Sequence, residues 1–82
     1  MTPSREQWDA FETAVTAKLD QLTCDQLRAL YPEEATRAES ARMLQEALPA
    51  LAAGELVRQQ AATRVAGLIR IQLAERCSPS PP

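Results

Sequence analysis

The stretch that most constrains the fold is 40–73, because its hydrophobic spacing changes at Gly54. Before Gly54, leucines recur four and three residues apart, at Leu44, Leu48 and Leu51, which is the spacing of one helix face. After it, apolar and polar residues alternate over 69–73, which is the spacing of a half-buried strand. The pattern therefore predicts a helix, a terminating glycine in the left-handed backbone conformation, and then strands.

Two shorter helices are predicted in front of this stretch, over residues 4–22 and from Thr23 to the proline at 32. Ser4 with Gln7, and Thr23 with Gln26, form capping-box patterns, in which each side chain satisfies a free backbone N–H. One face of the first helix is predicted to enter the core, with Trp8, Phe11, Val15, Leu19 and Leu22.

The third helix is predicted to begin at Arg37, after a turn over 32–36. Thr36 and Glu39 supply its capping box. Pro49 lies inside the leucine-spaced pattern, where it removes one backbone hydrogen bond and clashes with the preceding turn. We therefore expect this helix to kink or restart near residue 48.

Residues 55–74 allow two interpretations. As a β-hairpin, the segments LVRQ and LIRIQL are strands on either side of the loop AATRVAG. As a fourth helix the segment has favourable residue types, but Arg58 and Gln72 interrupt the apolar face and Gly67 lies in its middle. The hairpin is the primary prediction, and an all-α arrangement of four helices is the alternative.

The chain length of 82 residues predicts one domain, over 1–76, followed by a disordered tail of Pro and Ser over 77–82. No uncharged apolar run is long enough to span a membrane, and the first residues lack the pattern of a signal peptide. We therefore expect a cytoplasmic protein. Cys24 and Cys77 are predicted to be reduced thiols rather than a disulfide framework.

Several kinds of chemistry are disfavoured by composition. The chain has no His and only two Cys, so catalysis by a histidine base is excluded and a zinc site is not expected. No glycine-rich phosphate loop is present. We predict no enzymatic activity, no cofactor, no metal and no small-molecule substrate.

Charge is distributed unevenly along the chain. Residues 1–54 carry five basic and nine acidic side chains, whereas residues 55–82 carry four basic and two acidic ones. Attraction to phosphate would therefore come mainly from the second part.

The run LTCDQLRALYPEEATRAESARMLQEALPALAAGELVRQ resembles winged helix-turn-helix domains. It contains a Thr-capped short helix, a turn, a longer leucine-spaced helix, a glycine, a short apolar strand and a basic residue. With the first helix and the segment GLIRIQL, the resemblance covers about residues 4–75. It implies a mainly α protein, with three helices and a C-terminal β-hairpin, that acts as a dimeric DNA-binding transcriptional regulator.

In such domains the third helix reads the major groove and the wing contacts the backbone or the minor groove. The implied DNA-binding residues are Arg37, Ser40, Arg42, Arg58, Arg64 and Arg70. The sequence departs from this pattern by placing Glu33, Glu34, Glu39 and Glu46 on or beside the reading helix, where carboxylates repel phosphate.

The alternative function is an acidic protein–protein interaction module, an adaptor or an inhibitor of another protein, that does not bind DNA. In that case residues 55–74 would form a helix with an apolar face for a protein partner or a second copy of the chain. The residues of this predicted interface are Val57, Ala61, Val65, Leu68 and Ile69.

Overall fold

A computed structural model describes residues 2–77, and this part of the chain contains four α-helices and one short 3-10 helix. They are α1 (Arg5–Asp20), α2 (Cys24–Leu30), α3 (Glu33–Ala47), the 3-10 turn (Pro49–Leu51) and α4 (Glu55–Arg76). Residues 2–77 contain no strand, so the prediction of three helices and a C-terminal β-hairpin is wrong. The all-α arrangement of four helices is the alternative that fits.

Helix α4 occupies the whole segment predicted as a hairpin. Its buried apolar residues recur every four positions, at Val57, Ala61, Val65 and Ile69. In a strand, residues 69 and 71 would lie on the same face. Here residue 69 is buried and Ile71 is 52% exposed, so the alternation over 69–73 is not that of a strand. Packing against α1, α2 and α3 supplies the burial, and the Ala, Gln, Arg and Leu content favours the helix locally.

The break between α3 and α4 follows from Pro49. Helix α3 ends at Ala47, Leu48 donates its N–H to the Leu44 carbonyl, and Pro49 begins the 3-10 turn. The prediction of a kink or a restart near residue 48 is therefore confirmed, in the form of a restart. Gly54 has φ −73° and precedes the first residue of α4, so the predicted left-handed glycine terminator is wrong.

The first two predicted capping boxes are confirmed. Ser4 Oγ accepts from the Gln7 N–H at 3.2 Å, and the Gln7 side chain accepts from the Ser4 N–H at 2.8 Å. Thr23 and Gln26 make the equivalent pair at 3.1 and 2.8 Å. Both helices therefore begin where the sequence predicts.

The third predicted capping box is wrong, because α3 begins at Glu33 and Thr36 lies inside its first turn. Thr36 is buried, and its hydroxyl donates to the carbonyls of Leu30 and Tyr31 at 2.5 and 3.2 Å. These carbonyls lie at the C-terminus of α2, where helix carbonyls have no partner within the helix. The Thr36 hydroxyl, near the start of α3, supplies the hydrogen-bond donor for them.

The four helices share one core, in which α4 contacts each of the other three. Trp8 and Phe11 of α1 meet edge to face, with ring centroids 5.6 Å apart. The remaining core residues are Val15, Leu19, Leu27, Met43, Leu44, Ala52, Val57, Ala61, Val65 and Ile69. The aromatic residues of α1 therefore serve packing, as predicted.

The C-terminal end of α4 is fastened to α2 by a disulfide between Cys24 and Cys77. The prediction of two reduced thiols is therefore wrong. Since Cys77 is cross-linked to α2, it belongs to the folded domain rather than to a tail. The rest of the predicted tail, 78–82, lies outside the described residues.

Arg76 adds a polar contact beside the disulfide. Its guanidinium donates to the carbonyls of Leu19 and Leu22, at 3.1 and 2.7 Å, where α1 ends. A cation at a helix C-terminus satisfies free carbonyls and complements the helix dipole. We call the disulfide and Arg76 together the terminal clamp, because they hold the last turn of α4 against α1 and α2.

Replacing Gly67 by alanine is expected to raise the free energy of unfolding by about 0.5–1 kcal/mol, because glycine inside a helix costs that much. A Cβ at Gly67 would meet only the end of the Arg70 side chain, at 3.9 Å. Urea unfolding measures the change. Gly54→Ala is the control, since Gly54 precedes the helix and should show no such gain. A destabilised Gly67→Ala variant would contradict an open, helical position.

Candidate protein-interaction surface

Of the three residues predicted to read DNA from α3, two are exposed arginines that pair with glutamates of the same helix, and one is buried. Arg37 is paired with Glu33 of the same helix, with Nη2 and Oε1 2.9 Å apart. Ser40 is only 1% exposed, and its hydroxyl donates to the Arg37 carbonyl at 3.1 Å. Ser40 therefore packs inside the protein and cannot reach a base edge.

Arg42 is held between two carboxylates of its own helix. It forms ion pairs with Glu39 and with Glu46, and the Nη1 to Glu46 Oε1 distance is 3.3 Å. The hydrogen bond to Glu39 raises the pKa of Arg42. A hydrogen bond from Lys18 on α1 lowers the pKa of Glu46 below its ordinary value. The outward charges of α3 are thus largely paired within the protein.

Arg64 of α4 is also engaged within the protein. Its guanidinium lies over the Trp8 ring, 4.2 Å from the centroid, and forms an ion pair with Glu12. Of the six predicted DNA-binding residues, only Arg58 and Arg70 are exposed and have no carboxylate within 4.0 Å among residues 2–77.

The apolar residues predicted as a partner interface face the core instead. Val57, Ala61, Val65 and Ile69 are at most 2% exposed, and Leu68 packs against them. The alternative interface is therefore corrected: α1, α2 and α3 of the same chain cover this face of α4.

The opposite side of α4 is open. Two rows with a spacing of four residues run along it, and neighbours in such a row lie on successive helix turns. We call these rows together the α4 outer surface: Gln59, Thr63, Gly67 and Ile71 in one row, and Arg58, Ala62, Ala66 and Arg70 in the other. All eight residues are exposed or half-buried. Exposed Glu55 lies one turn before Gln59 and lines the same side of the helix beside Arg58.

Large apolar side chains stand at both ends of this surface, and small ones occupy its middle. Leu56 is 58% exposed near the start of α4, and Ile71 is 52% exposed near its end. Ala62, Ala66 and Gly67 lie between them. The middle therefore leaves room for side chains of another molecule.

A groove runs along the second row, between α4 and the N-terminal half of α3. Two depressions of about 450 and 230 Å³ share Arg37, Gln59 and Ala62, so they form one continuous groove. Carboxylates also line it, Glu33 in the larger depression and Glu55 in the smaller one. Tyr31, which is 46% exposed, borders the larger depression. The sequence analysis did not predict this surface. The pattern that could have indicated it is the pair of small uncharged residues four positions apart, Ala62 and Ala66.

Two further kinds of feature were sought in the described range, metal sites and membrane-spanning helices. Among residues 2–77, no cluster of three His, Cys, Asp or Glu side chains could hold a metal ion. None of the helices in this range is long and apolar enough to cross a membrane. Comparisons with protein-family models, curated proteins and solved structures find no match.

Proposed function

We propose that this protein is a small helical interaction module that binds another protein through the α4 outer surface. One observation carries the proposal: exposed Leu56 and Ile71 flank a patch of small, uncharged side chains on the longest helix. Exposed apolar residues mark a site of protein association where they belong to one contiguous patch, so the small side chains between Leu56 and Ile71 are essential to the proposal. Small side chains at the centre allow a second helix to pack closely.

The scaffold supports binding because α4 is anchored along its length. Its buried face packs on three helices, and the terminal clamp holds its end. A surface that is already ordered loses less conformational entropy on association. The α4 outer surface therefore meets a partner with little rearrangement.

DNA binding has weaker support. A DNA-binding domain of this size presents a basic patch with side chains free to contact phosphates and bases. Here Arg37, Arg42 and Arg64 are paired with carboxylates, and Ser40 is buried. The formal net charge of the chain is −2. Protein binding is for these reasons the function we propose.

We also propose that the protein works in an oxidising compartment rather than in the cytoplasm. Disulfides persist in oxidising environments and are rare where glutathione and thioredoxin keep thiols reduced. The Cys24–Cys77 bond supports this location.

A photo-crosslinking amino acid at Thr63, in the middle of the α4 outer surface, tests the proposed function. In the cells that make the protein, it is expected to form an adduct with one protein partner, which mass spectrometry identifies and binding of the purified proteins verifies. The control position is Gln45, which is exposed on α3. No adduct at Thr63, or the same adducts from both positions, would reject the proposal.

A further inference from the structure

We infer that the Cys24–Cys77 disulfide is a redox switch, and that its reduction releases the end of α4 while the rest of the domain stays folded. The part released is residues 70–77, about the last two turns of the helix and its C-cap, which we call the terminal segment. It includes Ile71, so reduction also removes one end of the α4 outer surface. The switch is a property of the fold and does not depend on the proposed function.

The terminal segment contributes little to the hydrophobic core. Ile69, the residue before it, is the last fully buried apolar side chain of α4. Within the segment, Leu73 and Cys77 are only partly buried, and the one buried side chain, Gln72, is polar. Because burial of apolar surface is the main stabilising contribution to a fold, the segment depends on other contacts to stay in place.

Apart from the disulfide, the named contacts of the terminal segment with α1 are polar. Gln72 donates to Asp20, and Arg76 donates to the carbonyls of Leu19 and Leu22. Asp20 and Arg76 are exposed, so water competes for these groups. Hydrogen bonds that water can replace contribute little net free energy, and helix ends are the first parts of a fold to open. The disulfide is therefore the contact that keeps the segment closed.

The contacts that hold the rest of α4 lie outside the terminal segment. Its four buried apolar residues all precede position 70. Arg64 binds α1 through the Trp8 ring and the Glu12 carboxylate. Reduction leaves these contacts in place, so the opening is local and the remaining four turns of α4 stay packed.

A dithiol can reach the bond in the folded protein, because Cys24 and Cys77 are both half-buried rather than buried. One thiolate of the reductant attacks a sulfur of the disulfide, which breaks the S–S bond and forms a mixed disulfide. The second thiolate of the reductant then displaces the protein sulfur. Two electrons pass to the protein, its two sulfurs become thiols after protonation, and the reductant leaves as a disulfide.

The test is NMR relaxation of the ¹⁵N-labelled protein without denaturant, oxidised and after reduction by dithiothreitol. On reduction, backbone order parameters of residues 73–77 should fall from about 0.85 to below about 0.6, while those of 57–69 stay near 0.85. Trp8 fluorescence should not shift, since Trp8 contacts Arg64 and not the terminal segment. The control is the Cys24→Ser, Cys77→Ser variant, which should match the reduced protein with or without dithiothreitol.

The rate of reduction shows whether the folded protein itself responds. At urea concentrations below the unfolding transition, the rate should be proportional to dithiothreitol and independent of urea. If the reductant reached the bond only after global unfolding, the rate would rise with urea as the unfolded fraction does.

Three results would overturn the inference. The first is unchanged order parameters of 73–77 in the reduced protein, which would make the disulfide a staple without a local release. The second is loss of order over 57–69 as well, which would make the whole fold depend on the bond. The third is a rate of reduction that rises with urea below the transition. None of these measurements uses a partner, so absence of a crosslink at Thr63 would refute the proposed function and leave the switch intact.

Discussion

Replacing Cys24 and Cys77 by serine is expected to lower the free energy of unfolding by about 4 kcal/mol. The disulfide joins residues 53 positions apart, so it removes much conformational freedom from the unfolded chain. Loop-closure entropy for a loop of this length gives about 4 kcal/mol. A domain this small buries a thin core, so the loss is a large part of its total stability.

Urea unfolding of three samples measures this effect: the oxidised protein, the protein with dithiothreitol, and the double serine variant. Reduced wild-type protein should unfold at the same urea concentration as the serine variant, and the reductant should not affect the variant. Free thiols in the purified native protein, or a loss below about 1 kcal/mol, would contradict a disulfide that stabilises the fold.

The local signals of the first two helices were sufficient to predict them. Capping boxes at Ser4 and Thr23 depend on residues three positions apart, so the sequence contains all the information they need. Thr36 shows the limit of such signals. It has the same spacing to Glu39, but its hydroxyl is engaged by carbonyls at the end of α2, which only the packed structure brings within reach.

Helix α4 was misassigned because a polar residue lies on its buried side. Gln72 argued against a helix, yet it is buried with both ends of its amide bonded. Its nitrogen donates to Asp20 and its oxygen accepts from Arg76, each at 2.5 Å. These partners remove the cost of burying an amide. Arg76 is one turn away on the same helix, but Asp20 is 52 positions away, and no periodicity analysis shows that contact.

The environment of the candidate site residues could not be predicted from the sequence for a related reason. Sequence patterns identify which residues are basic, but they do not show which arginines are neutralised after folding. In the sequence Arg64 and Arg70 are both single arginines among apolar neighbours, and they lie six residues apart on α4. Tertiary packing places Trp8 and Glu12 against Arg64 and leaves Arg70 open. The proposed binding surface consists of α4 residues that are outside the core and outside the internal ion pairs.

Thr63→Pro is expected to lower the free energy of unfolding by about 3 kcal/mol or more. In a continuous α4 the Thr63 N–H bonds to the Gln59 carbonyl, and a proline ring both removes that bond and clashes with the same carbonyl. Thr63 is exposed, so the loss comes from the backbone and not from the core. In the hairpin prediction, position 63 lies in the loop 61–67, where proline is well tolerated.

The matched control is Thr63→Ala, which removes only the side-chain hydrogen bond to the Gln59 carbonyl, of 3.1 Å. Alanine has the higher helix propensity, so this variant should stay within about 0.5 kcal/mol of wild type or exceed it. Urea unfolding gives both free energies, and far-UV circular dichroism should show that only the proline variant loses helix. If the proline variant were as stable as the alanine variant, residues 55–76 could not form one continuous helix, and the α4 outer surface would not exist in solution.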